Sequence, residues 1–309
     1  MTEQRTTPSE ASGFMFGAIG ILGFSVTLPA TRIAVAELDP TFVGLGRALV
    51  AAVLAAILLV LTRQSWPARA QLLSLCLVAV GVVVGFPLLS AWALRSVPAS
   101  HGAVMLGLLP LATAVAGVVR AGERPSRTFW LFSVAGSLVV ITFALVTGGG
   151  SLAAADIALI GAVIAAALGY AEGGRLARTM GGWQVICWAL VIAAPVLVLP
   201  VVLSVATHGL NASPQAWLGF AYVSVVSMFL AFFAWYRGLA IGGVARVGQI
   251  QLLQPFFTFL ASALLLHETI TTPTLIVALL VASIVALGRR SVVQRPALPT
   301  LQPPNEFGV

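Results

Sequence analysis

The stretch from Leu94 to Glu123, LRSVPASHGAVMLGLLPLATAVAGVVRAGE, recurs without a gap as Leu239 to Glu268, LAIGGVARVGQIQLLQPFFTFLASALLLHE, at a constant offset of 145 positions. Leu94/Leu239, Leu108/Leu253, Pro110/Pro255, Thr113/Thr258, Ala116/Ala261 and Glu123/Glu268 are identical. The chain has only nine acidic residues, and two of them close the copies thirteen positions after a matched proline. Chance does not readily place them so. A duplication near half the chain length implies one symmetric body around a shared interface.

Working outward, the rest of the chain is apolar almost throughout. Of its 309 residues, 60% are hydrophobic and 8% charged, with mean hydropathy +1.06, against roughly 25% charged in a soluble domain. Such a chain belongs in a bilayer, where about 20 apolar residues cross as helix. Apolar runs broken by Arg, Gly-Pro and acidic clusters predict ten spans. Five lie at about 14–35, 42–61, 72–92, 98–119 and 129–147, and five at about 157–177, 184–203, 217–237, 245–266 and 273–288.

Arginine distribution tests that assignment, because cytoplasmic flanks collect basic residues. Thirteen of the 16 basic residues, all Arg, fall on the side shared by both termini, and Arg32 and Arg95 on the other, while Arg47 lies inside a span. Five spans per half make the second copy enter from the opposite face. The expected fold is therefore all-α, a polytopic membrane protein of ten transmembrane helices in two inverted five-helix repeats, residues 14–147 and 157–288. They form one membrane domain, flanked by a cytoplasmic tail at 1–13 and a disordered, proline-bearing cytoplasmic tail at 289–309. Inverted repeats supply two related conformations, one open to each side.

Several function classes are excluded by what is missing. Cys76 and Cys187 sit in apolar runs and support neither a disulfide framework nor a thiolate metal site. There is no Walker-A sequence, and His101, His208 and His267 are scattered over separate elements, so no catalytic residue, metal or cofactor is expected and the chain reads as no enzyme. Its expected partners are a small-molecule substrate and the lipid bilayer, with no nucleic acid, as a monomer or weak homo-oligomer. No carboxylate falls near mid-span, which argues for facilitated or weakly coupled transport.

Polar side chains inside spans must face a partner helix or a watery cavity. Gln249, Gln251 and Gln254 cluster ahead of Pro255 and are the first substrate-binding candidates, although a rotation of 100° per residue keeps all three from lining one cavity. His101, opposite Arg246 by the repeat offset, is a further candidate for a carboxylate or a proton. So are Phe86 and Ser90, one turn apart, and Tyr170, Ser224, Ser227 and Trp235 in the second half. Pro29, Pro87, Pro110 and Pro255 each remove a backbone donor and are hinge or gating candidates. Arg47, Glu123 and Glu268 are expected to be structural.

The five-plus-five duplication, Gly46-Arg47 early in span two, Trp235-Tyr236-Arg237-Gly238-Leu239-Ala240 and the paired ends Pro110 to Glu123 and Pro255 to Glu268 together resemble the drug/metabolite transporter superfamily, and within it the EamA-type ten-span transporters. The resemblance covers about residues 14 to 288 and is closest to bacterial amino-acid exporters of the YddG type. It implies a helical bundle around a central cavity in the bacterial inner membrane, both termini cytoplasmic, exporting small metabolites. Amino acids, aromatic or otherwise apolar, head the expected substrates. Nucleotide sugars or drugs are the alternative, the former calling for several deep arginines where only Arg47 lies inside a span.

Overall fold

The computed structural model describes residues 8–147, 152–269, 271–288 and 293–294. Eight helices among them are long and apolar enough to cross a membrane: α1 (Ala11–Val35), α2 (Phe42–Leu61), α3 (Arg69–Ala93), α4 (Ala99–Arg120), α6 (Ala154–Met180), α7 (Gly182–His208), α8 (Pro214–Gly242) and α9 (Val244–Leu266). Two further apolar helices, α5 (Arg127–Thr147) and α10 (Thr272–Gly288), pack against each other. Helix begins at Pro8, ahead of the expected boundary at Phe14, and again at Ala154 rather than Ile157. The all-helical expectation is amended by a two-residue antiparallel ladder, in which Arg124 pairs with Gln294 and Pro125 with Val293. The rest of the expected disordered tail, and residues 1–7, lie outside the described residues.

Irregular turns recur at the same offset as the sequence. A π-helical segment interrupts α3 at Ala79–Gly85 and α8 at Val223–Leu230. At their ends, Phe86 N–H donates to Gly81 O and Ala231 N–H to Val226 O, both bonds shifted one residue from the α pattern. A 3-10 segment interrupts α4 at Leu106–Leu108 and α9 at Gln249–Leu253, each just before the matched proline. Pro110 and Pro255 cannot donate to the carbonyls of Leu106 and Gln251. The tightened turn supplies Leu109 N–H and Gln254 N–H to those carbonyls instead.

The helix ends match too. Gly122 ends α4 in the left-handed region at φ 66°, and His267 ends α9 there at φ 52°. Glu123 follows, 1% exposed, and its carboxylate accepts from Val244 N–H at 2.9 Å and Ala245 N–H at 2.7 Å, the first turn of α9. Glu268 does the reverse, accepting from Ala99 N–H at 2.9 Å and Ser100 N–H at 3.0 Å in the first turn of α4. Each carboxylate satisfies two of the donors that a helix start leaves open and sits at its positive end. The end of each helix therefore meets the start of the other, so α4 and α9 run antiparallel.

Close contacts sort the loops into two ends of the bundle. At one end α1 starts against the end of α8, where a Cβ on Gly13 would lie 2.8 Å from Gly242 backbone atoms. The Glu123 contacts and the Arg124 ladder lie at this end as well. So does a buried carboxylate, Glu172, which accepts from Arg120 Nε at 2.7 Å and Arg175 Nη2 at 2.5 Å, Arg175 also donating to Ser74 Oγ at 2.8 Å. That network joins α3, α4 and α6.

At the other end Arg32 donates to the carbonyl of Leu94, and His101 Nε2 meets Asp156 Oδ1 at 2.6 Å. Glu37 accepts from Ser213 N–H at 2.7 Å and Ser213 Oγ at 2.6 Å. Asp39 Oδ1 caps α2 through Thr41 N–H at 2.9 Å and Phe42 N–H at 3.3 Å, and takes Ser204 Oγ from α7 at 2.6 Å. Burial pushes the Asp39 carboxyl up, but these donors outweigh it and hold it below the usual aspartate range. The Ser213 bonds hold Glu37 low in the same way.

Candidate functional site

Mid-depth in the bundle, a small cavity of about 10 Å³, room for about one water, lies between the two halves. Phe24, Arg47, Val82 and Phe86 line it from the first half, and Tyr170, Ser227, Met228 and Phe232 from the second. The rings form one assembly: Phe24 to Phe232 is 4.9 Å edge on, Tyr170 to Trp235 5.3 Å, and Phe24 to Tyr170 6.2 Å stacked. Rigid aromatic walls give a site apolar area at little entropic cost.

Arg47 is the one charge in that lining. It follows a π-helical turn, Phe42–Gly46, that opens α2, a feature that recurs where helices serve function. Its side chain is 1% exposed, and Nε, Nη1 and Nη2 have no hydrogen-bond partner among the described residues. A guanidinium that held two helices together would use its donors on carbonyls or a carboxylate. This one uses none.

A break in α1 separates the cavity from solvent. The helix is interrupted at Val26, between Ser25 and Thr27. Pro29 lacks the N–H that would bond Ser25 O four residues back, and Thr258 Oγ1 of α9 donates to that carbonyl at 2.8 Å instead. Thr27 Oγ1 and Ser227 Oγ share a bond of 2.8 Å, and Tyr222 OH donates to Gly23 O at 2.9 Å. Beyond the break opens a vestibule of about 950 Å³, lined by Val26 and Tyr222 at its floor and by Arg32, Glu37, Arg95 and His267 higher up. The volume is in the range of small-molecule sites.

The other residues singled out in the sequence divide. Phe86, Tyr170 and Ser227 line the cavity with Arg47, and Trp235 packs against Tyr170 with its Nε1 lacking a partner among the described residues. Ser90 is buried and donates to Pro87 O at 3.2 Å, and Ser224 donates to Phe220 O at 2.6 Å, so both hydroxyls serve their own helices. His101 is held by Asp156 at the vestibule end. Gln249, Gln251 and Gln254 are all buried in α9 and none lines the Arg47 cavity. Gln251 Oε1 accepts from Thr113 Oγ1 at 3.3 Å, while both amide atoms of Gln249 and the Nε2 of Gln251 have no partner among the described residues.

Phe24, Val82, Met228 and Phe232 escaped the sequence reading because apolar side chains in a span carry no mark of which face is inward. Arg47 had a signal: an ionisable residue within a span is a functional-site candidate by default.

The profile of the EamA-like transporter family matches twice, at residues 11–146 and 153–288. The chain is 50% identical over 280 residues to the Uncharacterized transporter YdeK of Bacillus subtilis (strain 168), a match covering 90% of this chain and 97% of that protein. A crystal structure 16% identical in sequence superposes with a TM-score of 0.66 over 90% of this chain and 98% of its own, a likeness of fold alone. With both halves matched and half the residues shared with a transporter of nearly equal extent, the chain belongs to the EamA-like transporter family.

Proposed function

We propose that this membrane transporter exports small metabolites, best fitted by apolar or aromatic amino acids, by alternating access between two inverted five-helix repeats. The observation that carries this reading is the cavity at the interface of the halves, with an unpartnered guanidinium among aromatic rings. A carboxylate suits the guanidinium fork and an apolar side chain suits the rings once the cavity, here with room for about one water, widens to admit them. The antiparallel α4 and α9, with their reciprocal Glu123 and Glu268 caps, support the inversion. Arginine crowding at the end where the chain starts supports ten spans with both termini cytoplasmic, which makes the vestibule external.

Exchange of the two caps is the structural step this symmetry offers. Parting α4 and α9 at one end releases one glutamate while the other holds, so each side opens with the opposite side shut. Uptake and efflux of a panel of labelled amino acids in reconstituted liposomes, with and without an imposed proton gradient, tests the reading. Flux of apolar members without the gradient is expected. No flux for any member overturns the amino-acid assignment, and strict dependence on the gradient overturns uncoupled exchange.

A further inference from the structure

Resting on that transport reading, we infer that Arg47 is the charge by which this cavity reads its substrate, and that the group it reads is a carboxylate on an apolar body, with or without an amino group. The guanidinium is 1% exposed and its three nitrogens are unpartnered among the described residues. A buried charge without a counter-ion is among the costliest features a fold can keep. A ligand that completes the pair recovers that cost on binding. The planar fork matches a carboxylate through two parallel bonds, which a lysine at the same place would not do.

Charge balance narrows the class. One guanidinium neutralises one carboxylate, and none of the other lining residues, Phe24, Val82, Phe86, Tyr170, Ser227, Met228 and Phe232, carries a second cation for a phosphate dianion. Nor does any of them carry an acid, so a substrate ammonium finds only ring faces and the Ser227 hydroxyl. Ring faces attract a cation, but Arg47 repels it across the same small space. The carboxylate is thus required and the ammonium dispensable. Small monocarboxylic acids with an aromatic or branched body join amino acids as substrates, while the matching amines are refused.

The test uses the full-length protein and three compounds on one carbon frame: phenylalanine, 3-phenylpropionate and phenethylamine. Counterflow in liposomes measures transport, and the thermal shift of detergent-purified protein measures binding. Both carboxylates are expected to move and to raise Tm, and phenethylamine to do neither. Arg47→Met removes the unpaired charge at similar length, so it is expected to raise the ligand-free Tm while losing the carboxylate response at least tenfold. Arg47→Lys is expected to keep the fold and retain a weakened response.

A fall in the ligand-free Tm of Arg47→Met, or a carboxylate response that survives it, overturns the inference and leaves Arg47 structural. Phenethylamine handled as well as phenylalanine overturns it too, as does 3-phenylpropionate without effect where phenylalanine binds. Those failures leave transport standing. If both carboxylates raise Tm through Arg47 and none of the three compounds crosses the membrane, the site stands and the transport reading fails.

Discussion

Glu123 and Glu268 show one residue type solving one problem twice at different depth. Both close the open N–H groups of the opposing helix, but Glu123 is buried and Glu268 is half-buried. A buried unmet donor costs roughly 1–3 kcal/mol, and an exposed one is met by water. Glu123→Gln is therefore expected to destabilise the protein by about 1–3 kcal/mol and Glu268→Gln by less, read by denaturant unfolding in detergent. Equal losses would mean that burial does not set the value of the caps. Asp39 offers a second residue-level check through pH. Its carboxyl is held below the usual range, so its stabilising bonds are in force above about pH 4 and are lost as pH falls through the folded-state value. Tm is expected to drop on acidification below about pH 4, and Asp39→Asn to flatten that limb. An unchanged acid limb in Asp39→Asn would remove Asp39 as its source.

The break in α1 belongs to the element, because no single residue makes it. Pro29 frees the Ser25 carbonyl and α9 satisfies it through Thr258, so a proline in one helix creates the need for a hydroxyl in another. Thr258→Val is expected to cost about 1 kcal/mol, as interhelical hydrogen bonds in membranes do. In a Pro29→Ala background the helix supplies its own donor and the same change is expected to cost clearly less. A double-mutant cycle in detergent measures this, and additive effects would separate the proline from the threonine. The matched Pro110 and Pro255 are handled within their own helices by 3-10 turns. Of the prolines named as hinges, Pro29 is the one that frees a carbonyl, on Ser25, between Phe24 of the cavity and Val26 of the vestibule.

Orientation is a question for the scale of the whole molecule. The bundle sorts its loops into two ends, with Arg69 exposed at one and Gln215 exposed on the vestibule at the other. In a variant without Cys76 and Cys187, a membrane-impermeant maleimide is expected to label Gln215→Cys in intact cells. Arg69→Cys is expected to react only after permeabilisation, and the reverse pattern would place the termini outside. The large vestibule lies on one side and the Glu172 network with Arg120 and Arg175 on the other, which under the proposed orientation corresponds to a state shut towards the cytoplasm.

Much of this architecture was legible without coordinates. Hydropathy located the helices because a bilayer imposes length and apolarity on each span separately. The offset of 145 located the duplication, and the turns at Ala79–Gly85 and Val223–Leu230, which share only Val80/Val225 as an identity, extend it. The site was less legible. Gln249, Gln251 and Gln254 drew attention as polar residues in an apolar helix, yet the cavity formed around Arg47, Phe24, Tyr170 and Phe232. A helix sequence gives the angle between its own faces but not which neighbour each face meets. The sequence by itself determined the apolar helices and the family, since those follow from local composition and spacing. Only the tertiary structure decided that Arg47 would be buried without a partner, because that depends on what the other half of the molecule brings to meet it.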